Sequence, residues 1–365
     1  MEKRKRPDPW LLGISCALVI LGILILASVS ASFSVEKTGN SFYFLSHQLI
    51  FGLLPGIALG AVAYFFPLKK LRQISLPLLI VSIVTLALVF IPFLGGPLKG
   101  AHRWIYLGQF SVQPSEFLKV AFIVYLAAWL SSRFYEKKIK KNVFLPFLAM
   151  LGVIGFLLIA QPDVSTLGVI SITGVLMYFL SGTPLLHTIL LLSGGASLLF
   201  ALIHIAPYRF NRLLVFLNPD IDPLGKGYQI KQALIGIGSG GITGLGLGLS
   251  FQKFGTLPEP ISDSVFAIFA EEAGFIGSLI LLALFLLFFW RSFAVALRVD
   301  DSFSRLCAMG IACWITFQAL FNIGSMTGLL PLAGIPLPFI SYGGSALVAE
   351  LIGIGLLLNI SKQAS

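Results

Sequence analysis

Asp263 is the acid best placed to do chemistry. It follows Pro258-Glu259-Pro260 at the mouth of a long apolar run. Arg103, Arg209, Arg212, Lys226, Lys231 and Lys253 stand in segments that the charge pattern, described below, assigns to the same side of a membrane. A carboxylate at such a boundary can act as a proton acceptor. Guanidinium and ammonium groups on that side attract an anionic substrate. Glu259 adds a second acid in the same turn. An acid at a helix N-terminus is also a favourable cap, so capping is the structural alternative for Asp263. Glu271 and Glu272 continue the same run. On a helix they lie about 80° and about 180° from the Asp263 direction, which lets only Glu271 share its cavity.

Other charges within apolar runs need partners, because each costs roughly 2.5–3.5 kcal/mol at mid-bilayer. Glu116 and Lys119 are three apart and either pair on one helical face or line a polar cavity. Asp163, directly after Gln161-Pro162, is placed to cap a helix. The stretch GSGGITGLGLG (238–248) has no following Lys-Ser/Thr and no preceding strand, so it is not a nucleotide loop. Its glycines suit close backbone packing or a tight re-entrant turn. Cys16, Cys307 and Cys313 fall inside apolar runs as small packing residues, and His47, His102, His187 and His204 lack zinc-ligand spacing. No basic, aromatic-studded segment points to nucleic acid. These patterns alone suit two classes equally: a transporter of an anionic substrate and a lipid-processing enzyme.

The elements that must position these groups are membrane helices. Of 365 residues, 57% are apolar and 11% are charged, against about 25% charged in a soluble domain. A spanning helix needs roughly 20 apolar residues. Such runs recur at about 10–31, 45–66, 73–92, 115–131, 143–160, 164–180, 186–206, 263–290, 303–324 and 342–361. The chain therefore reads as all-α, a single polytopic membrane domain of about ten transmembrane helices. The first run, at about 21 residues, exceeds the 7–15 residue core of a cleaved signal and reads as a retained span. With the N-terminus inside, sixteen Lys and Arg fall on the inner side and eight outside, five of those eight in one long loop. Both termini are then cytoplasmic, and the net charge of +10 faces anionic headgroups. The irregular segments 93–114, 207–262 and 325–341 lie outside. The second is far longer than the roughly 12–15 residues beyond which loops are usually functional. Within it, Ile230, Ala233, Leu234 and Ile237 predict a short amphipathic helix, with Gln229, Lys231 and Gln232 off its apolar stripe.

Several motifs carry a family resemblance. Gly100-Ala101-His102-Arg103-Trp104-Ile105 is followed by Gln113-Pro114-Ser115-Glu116-Phe117-Leu118-Lys119 and by Gln161-Pro162-Asp163. Then come GSGGITGLGLGLSFQKFGTLPEP (238–260), Asp263-Ser264-Val265-Phe266-Ala267 with Glu271-Glu272, and GLLPLAGIPLPFISYGGS (328–345). In order and spacing these resemble the SEDS (shape, elongation, division, sporulation) family, and Ser250 to Pro260 is more like its FtsW-type branch than its RodA or SpoVE types. The resemblance implies a glycosyltransferase that polymerises lipid II, an undecaprenyl-pyrophosphoryl disaccharide-peptide, on the outer membrane face. It implies a class B penicillin-binding protein as transpeptidase partner, alongside other divisome or elongasome proteins. Asp263 would be the catalytic base, and Arg103, Arg209, Arg212, Lys226, Lys231, Lys253 and Glu259 would bind substrate. Glu116, Lys119, Asp163 and Glu271 would be structural or cavity charges. No cofactor is demanded, although a Mg²⁺ or Mn²⁺ ion would supplement the cations. A lipid II flippase and a non-catalytic division scaffold are the alternatives. Two departures bear on the site. The family usually has His-Thr-Asp-Phe where this chain has Ile261-Ser262-Asp263-Ser264, and usually Gly where it has Ser165.

Overall fold

The structure, a computed structural model, describes residues 6–91, 103–107, 110–135, 143–205 and 207–364. Helix α1 (Pro9–Thr38) starts at an Asp8 cap, whose carboxylate accepts from the Leu11 N–H at 2.9 Å. Pro9 follows where a missing N–H costs nothing, and Gly39 ends the helix with φ +74°. Helix α2 (Tyr43–Gln48) passes through a π turn (Leu49–Leu53) into α3 (Leu54–Phe65). The ladder widens just ahead of Pro55, which has no N–H to give and would crowd the carbonyl four residues back. A basic helix α4 (Leu68–Gln73) turns the chain into α5 (Ser75–Leu88). The described part of 93–114 holds an antiparallel pair, β1 (Ile105–Leu107) with β2 (Phe110–Val112), which periodicity did not announce.

Next come α6 (Pro114–Tyr135), α7 (Phe144–Ala160), α8 (Val164–Leu180) and α9 (Leu185–Ile205). The break between α7 and α8 falls at Gln161-Pro162-Asp163, where the sequence divides two apolar runs. The long outer loop is largely structured, with α10 (Pro207–Leu217), a 3₁₀ turn (Pro219–Ile221) and α11 (Lys226–Ser239). The last three helices are α12 (Val265–Leu297), α13 (Ser302–Met326) and α14 (Gly344–Ser361). Among the described residues six helices are long and apolar enough to cross a membrane, and α5, α7, α8 and the first part of α9 are shorter apolar helices. Helix α12 is interrupted at Gly274, and its part beyond that break, 275–297, is about 35 Å long, enough for a hydrocarbon core of about 30 Å.

Helices α6, α13 and α14 are enclosed by the rest, while α1, α3, α7, α9 and α12 leave large apolar side chains such as Phe65, Phe156, Phe200 and Phe275 outside. An aqueous protein would bury these groups; in lipid they face a matching solvent. Small residues bring backbones together: a Cβ on Gly355 of α14 would strike the Gly60 carbonyl of α3. The bundle has two distinct ends. At one, the Asp8 N–H donates to Ser361 Oγ (3.0 Å), Asp8 pairs with Arg291, and Asn359 Nδ2 donates to Phe66 O (2.7 Å). At the other, the Gln113 N–H donates to Ser345 Oγ and the Gly343 N–H to Gln48 Oε1, both at 3.0 Å.

Candidate functional site

At this second end α12 contains a break. Gly274 has φ +67° and ψ −166°, which frees backbone groups that hydrocarbon cannot satisfy. The glycine-rich loop satisfies them. Leu245 N–H and Gly246 N–H donate to Glu271 O and Glu272 O at 3.0 Å, while Phe275 N–H and Ile276 N–H donate to Gly241 O and Ile242 O. Gly244, at φ +84°, lies so close to Glu272 O that a Cβ would collide with it. The loop is therefore a backbone splint for a broken helix, in line with the close packing its glycines suggest.

Two buried carboxylates secure this splint. Glu271 accepts hydrogen bonds from Ser250 Oγ, Ser239 Oγ (3.3 Å), Phe251 N (3.3 Å) and Gln252 N (3.2 Å). Glu272 accepts from Ser28 Oγ of α1 (2.6 Å) and from Lys253 Nζ (3.1 Å). Lys253 also donates to Gly248 O and is only 4% exposed. This corrects its assignment as a substrate cation: its charge is consumed inside the fold.

The segment 327–343 re-enters the bundle, and side chains from its neighbours satisfy its backbone. Asn322 Nδ2 donates to Ile335 O (2.8 Å) and Gln318 Nε2 to Pro336 O (3.0 Å), while Glu350 Oε2 accepts from Phe339 N (2.7 Å). Phe339 is held there with φ +65°, a left-handed conformation for a buried non-glycine residue. Gln318 Oε1 in turn accepts from Lys119 Nζ (2.8 Å), which pairs with Glu116 at 2.8 Å, so these two charges are structural and buried. Tyr342 shares a hydrogen bond with His47 Nδ1 at 2.9 Å.

Asp263 is partly exposed against this segment. Its Oδ2 lies 3.3 Å from where a Cβ on Gly334 would stand, and Gly334 has φ +63°. The N-cap of α12 is Ser264, with no side-chain cap bond, so Asp263 stands one residue outside the helix. Asn322 Nδ2 holds its backbone oxygen at 2.9 Å. Ser262 Oγ donates to Glu259 Oε2 (3.2 Å), and Glu259 takes φ +51° between its prolines. Gln229 of α11 donates to Ser264 Oγ at 3.0 Å, so Gln229 is buried and lies on the inner face of that helix, not off it.

The second corner forms around Asp163. It caps α8 by accepting from Thr166 N (3.4 Å), accepts from Ser115 Oγ (3.5 Å), and lies 4.0 Å from Arg103 Nη1. Arg103 also donates to Gln161 O (3.3 Å) and Pro162 O. Ser165 Oγ donates to Ala333 O. Adjacent residues Ala333 and Gly334 thus join the Arg103 corner to Asp263. Lys226 is exposed at the start of α11, and Lys231 pairs with Asp220 at the surface. Arg212 is half-buried in α10; the Arg209 side chain lies outside the described residues, as does His102. Among the described residues, no three His, Cys, Asp or Glu side chains form a preformed metal cage.

A polytopic helical bundle with a re-entrant segment beside a partly exposed acid defines the class. Comparison with known proteins defines the family. Residues 9–365 match the model of the cell cycle protein family of FtsW, RodA and SpoVE. Stage V sporulation protein E of Bacillus subtilis is 40% identical over 99% of both chains. A probable peptidoglycan glycosyltransferase FtsW of Geobacter sulfurreducens is 38% identical over 100% of this chain and 97% of its own. Among solved structures, a chain from a peptidoglycan synthase complex superposes with a TM-score of 0.79 at 28% identity, over 98% of each chain. The rod shape determining protein RodA of Thermus thermophilus superposes at 0.72, also at 28% identity, over 97% of this chain and 96% of that one. The chain belongs to the FtsW, RodA and SpoVE family.

Proposed function

We propose that the protein is a peptidoglycan glycosyltransferase of FtsW type, polymerising lipid II on the outer face of the cytoplasmic membrane during division or growth. The observation that carries this is the convergence of Asp263 and the Arg103 corner on Ala333 and Gly334. A sugar 4-hydroxyl attacks the anomeric carbon that bears the polyprenyl pyrophosphate. As the new glycosidic bond forms, the bond to the pyrophosphate oxygen breaks and the hydroxyl proton passes to the Asp263 carboxylate. Arg103, with the exposed Lys226, Lys231 at the surface, half-buried Arg212 and, from the sequence, Arg209, offsets charge on the departing pyrophosphate. A Mg²⁺ or Mn²⁺ ion would supplement these cations and add Lewis-acid stabilisation, with Glu259 as a carboxylate to hold it.

Relatives named as probable peptidoglycan glycosyltransferase FtsW, and the synthase complex to which a similar chain belongs, support this reading and a class B transpeptidase partner. The cytoplasmic placement of both termini is supported by basic residues at the Ser361 end of the bundle, where Arg291 pairs with Asp8 and Lys362 Nζ donates to Tyr64 O a few residues before the basic helix α4. Glu116 and Lys119 are paired with each other and with Gln318, which supports the enzyme reading over a flippase that would use them to line a polar path. Purified protein, with and without its transpeptidase, should convert labelled lipid II into glycan strands. Transbilayer movement of lipid II without strand formation would overturn the assignment.

A further inference from the structure

A cavity at the bundle end opposite Asp263 has no part in this chemistry. Helices α4, α5 and α6 form an open cavity of about 460 Å³, within the roughly 300–1,000 Å³ of small-molecule sites. Lys69, Arg72 and Gln73 of α4 line one side; Tyr125, Trp129 and Ser132 of α6 line the other. None of its described lining side chains is acidic, so the two cations are not neutralised within it. Ser75 Oγ fixes the Arg72 carbonyl at 2.8 Å and anchors the turn that presents the guanidinium. Tyr125 and Trp129, one helical turn apart, are half-buried rings with polar tips, the type that settles at the headgroup level of a bilayer. The level agrees: α4 follows Phe66, whose carbonyl is tied to Asn359 at the foot of α14. Helix α5 begins at the cavity and exposes Leu76, Ile80 and Val84 along one stripe, a surface for acyl chains.

We propose that this cavity binds the headgroup of an anionic phospholipid, with Lys69 and Arg72 on its phosphate and the two rings beside its glycerol. The two cations supply charge, Gln73 supplies a neutral hydrogen bond, and the α5 stripe distinguishes a lipid from a free phosphate. The site is separate from the Asp263 centre, so occupancy tethers this end of the bundle to one leaflet.

Native mass spectrometry of the full chain in neutral detergent, titrated with phosphatidylglycerol, phosphatidylcholine and inorganic phosphate, tests this. Phosphatidylglycerol should bind in preference to phosphatidylcholine. Lys69→Gln and Arg72→Gln should each weaken it about fivefold and together about thirtyfold. Lys70→Gln, on the same helix but outside the cavity, should leave binding unchanged. The charge-retaining pair Lys69→Arg and Arg72→Lys should keep the preference, which separates charge from any folding defect. Equal binding of phosphatidylcholine, or an equal loss in Lys70→Gln, would overturn the site. Displacement of the lipid by an equal concentration of inorganic phosphate would overturn the lipid assignment.

Discussion

Lys253 and Arg103 are both cations near the Asp263 end of the bundle, and burial separates their roles. The Lys253 ammonium is enclosed with Glu272, Gly248 O and the Phe254 ring, whose centroid is 5.7 Å away. Breaking a buried pair leaves one uncompensated charge at a cost of about 3–5 kcal/mol. Lys253→Gln should therefore lower the melting temperature and yield of folded protein, and adding Glu272→Gln should recover part of the loss. Normal stability with weakened substrate use would return Lys253 to the substrate site. Arg103 has 29% of its side chain exposed beside Asp163. Arg103→Gln should stay folded and lose about 10²-fold in polymerisation rate, read from strand formation alongside thermal unfolding. The serines that depart from the family pattern are engaged at this scale too. Ser165 ties α8 to Ala333, Ser262 bonds Glu259, and Ser264 receives Gln229.

Among the elements, the re-entrant segment depends on a few side chains that reach its backbone. Glu350 is the clearest: it accepts the Phe339 N–H in a left-handed turn, and its other oxygen has no hydrogen-bond partner among the described residues. Glu350→Gln keeps an acceptor and should retain stability and activity. Glu350→Leu orphans a buried N–H and should cost about 1–3 kcal/mol, with a fall in strand formation; indifference to Leu would mean that Pro and Gly chemistry alone shapes the loop. Much of this was legible in the residues. Runs of about 20 apolar residues marked the spans, and Gln161-Pro162-Asp163 marked a break. The glycines of 238–248 announced close packing but not its object, because Gly274 hides among the helix formers Ala270, Glu271, Glu272 and Ala273. The three-residue strands were too short to show alternation, and Lys253 looked like a loop cation because burial by a distant Glu272 leaves no local trace.

For the whole molecule, orientation decides on which side the chemistry occurs. Single cysteines at Lys138 and Lys226 in a cysteine-free background should label from opposite faces, with only the Lys226 position reached by an impermeant reagent from outside. Reaction of both from outside would reverse the assignment of the Asp263 end to the outer face. That assignment makes the bundle a scaffold holding one partly exposed carboxylate against Gly334, with the Arg103 corner joined to it through Ala333. The most direct test is Asp263→Asn, measured as glycan strand formation from lipid II by purified protein with its transpeptidase, with thermal unfolding in parallel. Ser264, not Asp263, occupies the cap of α12, so the amide should leave folding intact. The account predicts a stable protein whose polymerisation falls by about 10²–10⁴-fold; near-normal polymerisation by that variant would contradict it.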